Sequence, residues 1–146
     1  MNIKIIAAGK ASHGYAKQGI EEYSKRLKRY IKCELIYVKD GDSKSVSERL
    51  LKAAANSFII AMDERGKDFT SHEFATRIQN WTDDPTIKTV SFLIGASDGH
   101  TEELRKKSNL LLRLSKMTMM HELALVVLLE QIYRAQTIIK GEPYHR

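Results

Sequence analysis

The chain has almost nothing with which to staple itself. It holds one cysteine, Cys33, so it can form neither an internal disulfide nor a multi-cysteine zinc site. So little cysteine suits a reducing compartment, and the cytoplasm is the expected location. Long apolar runs are missing too. The longest, Leu123 to Leu129, falls well short of the roughly 20 residues a membrane span needs. The opening stretch, Met1 to Ala8, is too short and too interrupted for a signal peptide and reads as a first strand. No internal repeat, low-complexity segment or linker divides the chain, and a single domain over 1–146 is expected.

Several catalytic signatures are absent as well. Gly95-Ala96-Ser97-Asp98-Gly99 is neither the dinucleotide fingerprint G-x-G-x-x-G nor a P-loop, since no Gly-Lys-Ser/Thr follows it. His121-Glu122 starts like the zinc-protease motif H-E-x-x-H, but the second histidine would fall at Leu125. His13, His72, His100 and His145 show no metal-ligand spacing, so no metal is expected. No serine has the context of a nucleophile elbow, and Cys33 opens a strand, away from the rim where ligands bind. Covalent hydrolysis is therefore disfavoured.

The chain does have an ordinary globular composition, 42% hydrophobic and 29% charged, in 146 residues, enough for a real core. The net charge is +6 and the pI about 9.4, which suits a polyanionic partner. Lys25, Arg26, Lys28, Arg29 and Lys32 crowd one segment around Tyr30. That segment is either a solvated helix face or a phosphate-contacting patch.

Hydrophobic patterning predicts strands over 2–8, 33–39, 57–63, 89–95 and 110–114. Helices are predicted over 14–31, from Ser43 or Ser45 to about Ala55, from Thr70 or Ser71 to Asp83-Asp84-Pro85, from Thr101, and over 121–139. Strands alternate with helices throughout, which calls for an α/β fold with a mainly parallel sheet and helices on both faces. In such folds ligands bind beyond the carboxyl ends of the strands. Those ends are Gly9-Lys10, Met62-Asp63, Gly95-Ala96-Ser97 and Ser115-Lys116-Met117. Met117, Met119 and Met120 either fill a core gap or wrap a flat apolar ring. The last helix is apolar nearly all round, so either it is a central core helix or a second subunit covers it. The tail Tyr144-His145-Arg146 offers a phenol, an imidazole and a guanidinium that can fold over a site.

Taken together, these motifs resemble a known family. They are Gly9-Lys10, Glu22-Tyr23-x-Lys25-Arg26-Leu27, Leu93-Ile94-Gly95-x-Ser97-x-Gly99, Leu114-Ser115-Lys116-Met117-Thr118, His121, Glu130-Gln131-x-Tyr133-Arg134-Ala135 and the terminal Tyr144-His145-Arg146. In that order, over essentially the whole chain, they are similar to the RlmH-type ribosomal RNA methyltransferases of the SPOUT superfamily. The chain departs from the family's usual pattern at Ala96, Met120 and Leu125, where glycine, proline and arginine are common.

The resemblance implies a C-terminal trefoil knot, a homodimer, and methyl transfer from S-adenosylmethionine to N3 of a pseudouridine in 23S rRNA. By position it implies donor contacts from Met62, Gly95 and the loop Leu114, Ser115, Lys116, Met117, Thr118 and Met119. His145 is the expected general base, because an imidazole gains and loses a proton near neutrality, with Tyr144 orienting the acceptor base. Lys25, Arg26, Lys28, Arg29, Arg134 and Arg146 are the expected RNA contacts, and Lys116 is a further phosphate candidate. The alternative, from another class, is a non-catalytic ribosome- or RNA-binding protein that keeps the fold. An unrelated nucleotide-binding α/β protein is disfavoured by the missing phosphate loop.

Overall fold

The computed structural model describes all 146 residues, 1–146. In chain order the elements are β1 (Asn2–Ala8), α1 (Gly14–Leu27), β2 (Cys33–Val38), α2 (Ser43–Ala53), β3 (Phe58–Lys67), α3 (Ser71–Asp83), β4 (Thr89–Ile94), α4 (Glu102–Lys107), β5 (Leu110–Leu112) and α5 (His121–Lys140). One sheet contains all five strands in the order β2-β1-β4-β3-β5, and every pairing is parallel. The α/β class and the parallel sheet are as the patterning predicts.

Side chains along a strand point alternately to opposite faces, and here both faces are covered. Ile5 and Phe92 belong to the larger core, with Trp81 of α3 and Leu125, Leu128 and Ile132 of α5. Their chain neighbours Ile6 and Leu93 belong to the smaller core, with Leu50 of α2 and Leu104 of α4. This is why β1 and β4 read as continuous apolar runs. Phe92 is fully buried and packs edge-on against Phe74 and Trp81. Phe92→Ala is expected to cost about 3–5 kcal/mol, read as a lowered midpoint in chemical unfolding. Leu125, at 3% exposure, belongs to this apolar core. Cys33 sits in β2, packed against the larger core, and burial pushes its thiol up to about 12.

Several boundaries differ from the sequence reading for local reasons. Helix α1 stops at Leu27 rather than 31. Leu27 is fully buried, and the Tyr30 and Ile31 amides both turn back to its carbonyl (2.9 and 3.1 Å), which lets the chain enter β2. The cap of α2 is Asp42, not Ser43 or Ser45: its carboxylate accepts from the Ser45 amide at 2.9 Å and the Ser45 hydroxyl at 2.8 Å. A carboxylate at that end also complements the helix dipole. Thr70 caps α3 in a reciprocal capping box with Glu73, and Thr101 caps α4. The third strand runs past Asp63 to Lys67 through an irregularity, in which both Met62 and Lys67 align with Leu112. Gly66 lies in it, where the backbone passes against Leu111 and Leu112. Strand β5 is cut to three residues, and Arg113 leaves the sheet after one more bond to the Lys67 carbonyl (3.0 Å).

Candidate functional site

Beyond the carboxyl ends of β3, β4 and β5 lies a cavity of about 610 Å³. Three segments wall it: 62–65 at the end of β3, 94–100 leaving β4, and 112–121 running from β5 into α5, with Ala124 one turn in. The volume suits one small organic ligand. Met62, Ile94, Leu112, Leu114 and Met119 offer apolar surface, while Asp63, Glu64, Arg105 and Arg113 bring charge. A slot that combines apolar surface with charged and polar groups can take a heterocycle carrying polar substituents.

The walls are tied to each other. The Thr118 hydroxyl donates to Glu64 at 3.1 Å, linking the last segment to the first. Ser115 Oγ accepts the Met117 amide at 3.0 Å and bends the loop. Arg113 forms a two-pronged pair with Asp68, which holds the Asp68 carboxyl below its ordinary value. On the opposite side, Arg105 lies 3.7 Å from the mostly buried carboxylate of Asp63 and donates to the His100 carbonyl. The segment leaving β4 is thus fastened to the end of β3.

Of the residues expected to hold a donor, Met62, Gly95, Leu114, Ser115, Met117, Thr118 and Met119 all line this cavity. Lys116 does not; within that loop its two neighbours face inward without it. Asp63 was visible only as a strand end. Glu64, His100, Arg105 and His121 were not singled out as lining, because their placement depends on long-range packing that no spacing encodes.

The tail lies elsewhere. It folds back, but onto α1, α3 and α5 rather than over the cavity. The Tyr144 hydroxyl donates to Glu130 at 3.0 Å and lies 3.4 Å from that of Tyr23. Burial first, then these two bonds, push the Tyr144 phenol above its ordinary value. His145 stacks edge-on against His72, with ring centres 4.7 Å apart, and its Nδ1 is 3.0 Å from Arg134 Nη1. A guanidinium can only donate, so Nδ1 accepts, and a neutral ring then carries its proton on Nε2. Neither nitrogen offers a free lone pair in this arrangement. Arg134 is committed as well, to Glu130 at 2.6 Å and to the Tyr144 ring face at 4.8 Å.

The basic segment divides in the same way. Arg26 is paired with Glu22 at 2.8 Å and wedged between the Tyr23 and Tyr133 rings at 5.5 and 5.4 Å. Lys25, Lys28, Arg29 and Arg146 are exposed. Lys25, Lys28 and Arg29 form no ion pair.

A carboxylate clamp joins the start of α5 to the start of α1. Glu122 is 4% exposed and accepts from the Ser12 and His13 amides and from the His13 ring. Burial pushes its carboxyl up, but the His13 and Ser12 bonds outweigh that and hold it at about 2. A carboxyl depressed from 4.5 to about 2 adds stability that is complete above its ordinary value and lost as the pH falls through about 2. Thermal unfolding between those limits is expected to show a falling midpoint whose slope Glu122→Gln reduces, with Asp42, Asp68, Asp84 and Glu103 supplying the remainder.

A parallel α/β sheet with a ligand-sized cavity beyond its strand ends defines a protein of the class that binds small ligands at that position. The family model described as "Predicted SPOUT methyltransferase" matches residues 1–145, and the chain belongs to that family. Among curated relatives, the ribosomal RNA large subunit methyltransferase H of Thermus thermophilus is 40% identical over 146 residues, covering all of this chain and 99% of the relative. The protein of the same name from Clostridium beijerinckii is 46% identical over 162 residues, covering both chains completely. A solved probable methylase family protein from Haemophilus influenzae superposes with a TM-score of 0.63 at 14% identity, over 99% of this chain and 70% of that one. At that identity the likeness shows shared fold alone.

Proposed function

We propose that this protein transfers a methyl group from S-adenosylmethionine to N3 of a pseudouridine in 23S rRNA. The observation that carries this is the cavity: Met62, Gly95 and five of the six residues Leu114–Met119 converge on it. The full-length relatives named large subunit rRNA methyltransferases supply the substrate class. The residues fit the donor. Met62, Ile94 and Leu112 would offer apolar surface to its adenine, and the carboxylates of Asp63 and Glu64 would be the acceptors for its hydroxyl or ammonium groups.

Bound in this way, S-adenosylmethionine supplies an already activated methyl on a sulfonium. The chain's work is then to orient and exclude water. The Thr118–Glu64 link and the Ser115 turn hold the loop over the cavity. With the donor bound, N3 would take the methyl as the carbon–sulfur bond breaks, so the chain's own task is to supply a base for the N3 proton. His145 is the proposed base and Tyr144 the proposed orienting group. For that, His145 must leave Arg134, since its lone pair is occupied at rest.

The tail lies off its own cavity, which supports a homodimer in which each tail serves the partner's cavity. Met117, Met120, Leu123 and Tyr15 are large exposed apolar groups around the start of α5, and a second copy would bury them. A trefoil knot is proposed for the C-terminal part of the chain, which includes the segment joining the edge strand β5 to α5. We place the protein with its ribosomal substrate in the cytoplasm; no helix is long and apolar enough to cross a membrane.

Titration calorimetry with S-adenosylmethionine should show saturable binding, and mass spectrometry of 23S rRNA from a deletion strain should lack one methylated pseudouridine. Absence of both would return the chain to the non-catalytic RNA-binding alternative. Lys25, Lys28 and Arg29 are the proposed partners of the RNA backbone. Neutralising all three is expected to reduce the slope of log affinity against log salt by about 0.7–0.9 for each phosphate no longer neutralised. Arg26 is left in place because the fold uses it.

A further inference from the structure

His100 is the one buried side chain at the cavity with an unmade hydrogen bond. It is 6% exposed, lies in the cavity wall, and its Nδ1 has no partner. Its other nitrogen is settled. Nε2 lies 3.1 Å from the Leu93 carbonyl, which can only accept, so Nε2 carries the proton. The ring is neutral. Burial lowers its pKa, outweighing the Leu93 and Met62 carbonyls and the Asp63 carboxylate, which favour the charged form. Nδ1 therefore presents a lone pair. Leaving a buried acceptor without a donor is costly, and such atoms in folded proteins call for an explanation.

The surroundings supply one. Nδ1 lies against Gly95, where a built Cβ would stand 3.0 Å from it and 3.1 Å from the neighbouring Cε1. Gly95 is also where the donor is placed by the reading above, on which this inference rests. The glycine leaves the imidazole room beneath the 95–99 loop. That loop is lightly tied. Gly99 bonds back to Ala96 at 2.9 Å and accepts from Ser43 at 3.0 Å. By contrast, the ring itself is fastened: Leu93 holds its far side and Arg105 holds its backbone carbonyl.

We propose that His100 is a recognition residue for the methyl donor: its Nδ1 accepts a hydrogen bond from an N–H or O–H of the adenosine moiety, made when the 95–99 loop adjusts around the bound ligand. A neutral lone pair in a low-dielectric wall selects a neutral donor. Adenosine carries two kinds, the exocyclic amine and the ribose hydroxyls. The bond would both satisfy the orphaned nitrogen and reject a ligand lacking the donor, because such a ligand would leave the nitrogen buried and unpaired.

The test uses the full-length protein with ¹⁵N-labelled histidine and S-adenosylhomocysteine as the probe. The His100 Nδ1 resonance is expected to move from the free-lone-pair position toward the hydrogen-bonded one as the site saturates. In parallel, affinities are measured for three analogues of that probe: one without the 6-amino group, one 2′-deoxy and one 3′-deoxy. One of them should bind about tenfold more weakly than the parent, and which one identifies the donor group. That difference should shrink toward unity in His100→Leu and be partly retained in His100→Asn, whose carbonyl oxygen can accept in place of Nδ1. Saturation with an unmoved Nδ1 resonance, or equal discrimination by wild type and His100→Leu, overturns the proposal. If S-adenosylhomocysteine does not bind at all, the donor-site reading fails first and takes this inference with it.

Discussion

Gly66→Ala is expected to lower the unfolding midpoint by several degrees and to abolish ligand binding at the cavity. A Cβ at this position would stand 2.6 Å from the Leu111 carbonyl carbon and Leu112 nitrogen and 2.7 Å from the Leu111 oxygen. These are backbone atoms of the edge strand, with no rotamer to change. Relief requires β3 and β5 to separate where Met62 and Lys67 both pair with Leu112. The cost is about 1–3 kcal/mol or more for overpacking, which for a chain of this size is about 3–10 °C. Function should suffer more than stability, because 62–65 and 112–115 are two of the cavity's walls. Gly14→Ala is the control. It opens α1 with nothing within 4 Å of a built Cβ, and should be neutral or gain up to about 1 kcal/mol. Differential scanning fluorimetry with and without S-adenosylhomocysteine reads both effects. A Gly66→Ala protein with unchanged midpoint and affinity would contradict the β3–β5 geometry described above.

The second large effect concerns the tail. His145→Ala is expected to slow methyl transfer about 100-fold or more, the usual contribution of a positioned acid–base group. S-adenosylmethionine affinity should change much less, since the proposed base acts on the acceptor's proton rather than on the donor. Single-turnover assays on ribosomal substrate separate the two. Arg134 gives an independent handle. It occupies the His145 lone pair, but it also pairs with Glu130 and stacks on Tyr144. Arg134→Lys should therefore loosen the tail and alter the pH dependence of turnover. Full turnover in His145→Ala would remove His145 from the mechanism and leave the tail a positioning role.

Much of the molecule could be read from the chain, and the failures share a cause. The continuous apolar runs of β1 and β4 reflect burial on both faces, so the sheet was legible. Three of the four strand ends read from the sequence, Met62-Asp63, Gly95-Ala96-Ser97 and Ser115-Lys116-Met117, reach the cavity, all but Lys116 lining it, whereas Gly9-Lys10 does not. Phe74, Ile78 and Trp81 were readable as the buried face of α3 from spacing alone. Local chemistry was misread where two side chains compete. Asp42 outcompetes Ser43 and Ser45 as cap because a carboxylate can accept twice from one serine. What could not be read were pairings distant in sequence. Glu122 with His13, Asp63 with Arg105 and Arg134 with His145 each depend on elements meeting in three dimensions. Lys116 does not line the cavity although its neighbours Ser115 and Met117 do, another placement that depends on the folded loop.

Cys33 has a practical consequence. It is the only thiol in the chain, and burial pushes it up to about 12, so almost none of it is thiolate at neutral pH. The folded protein is therefore expected to react slowly with maleimides and other thiol reagents. A cysteine placed at the exposed end of the tail, Arg146→Cys, is expected to react much faster. A fluorophore attached there would report on the proposed departure of His145 from Arg134, with the unsubstituted protein as the measure of background.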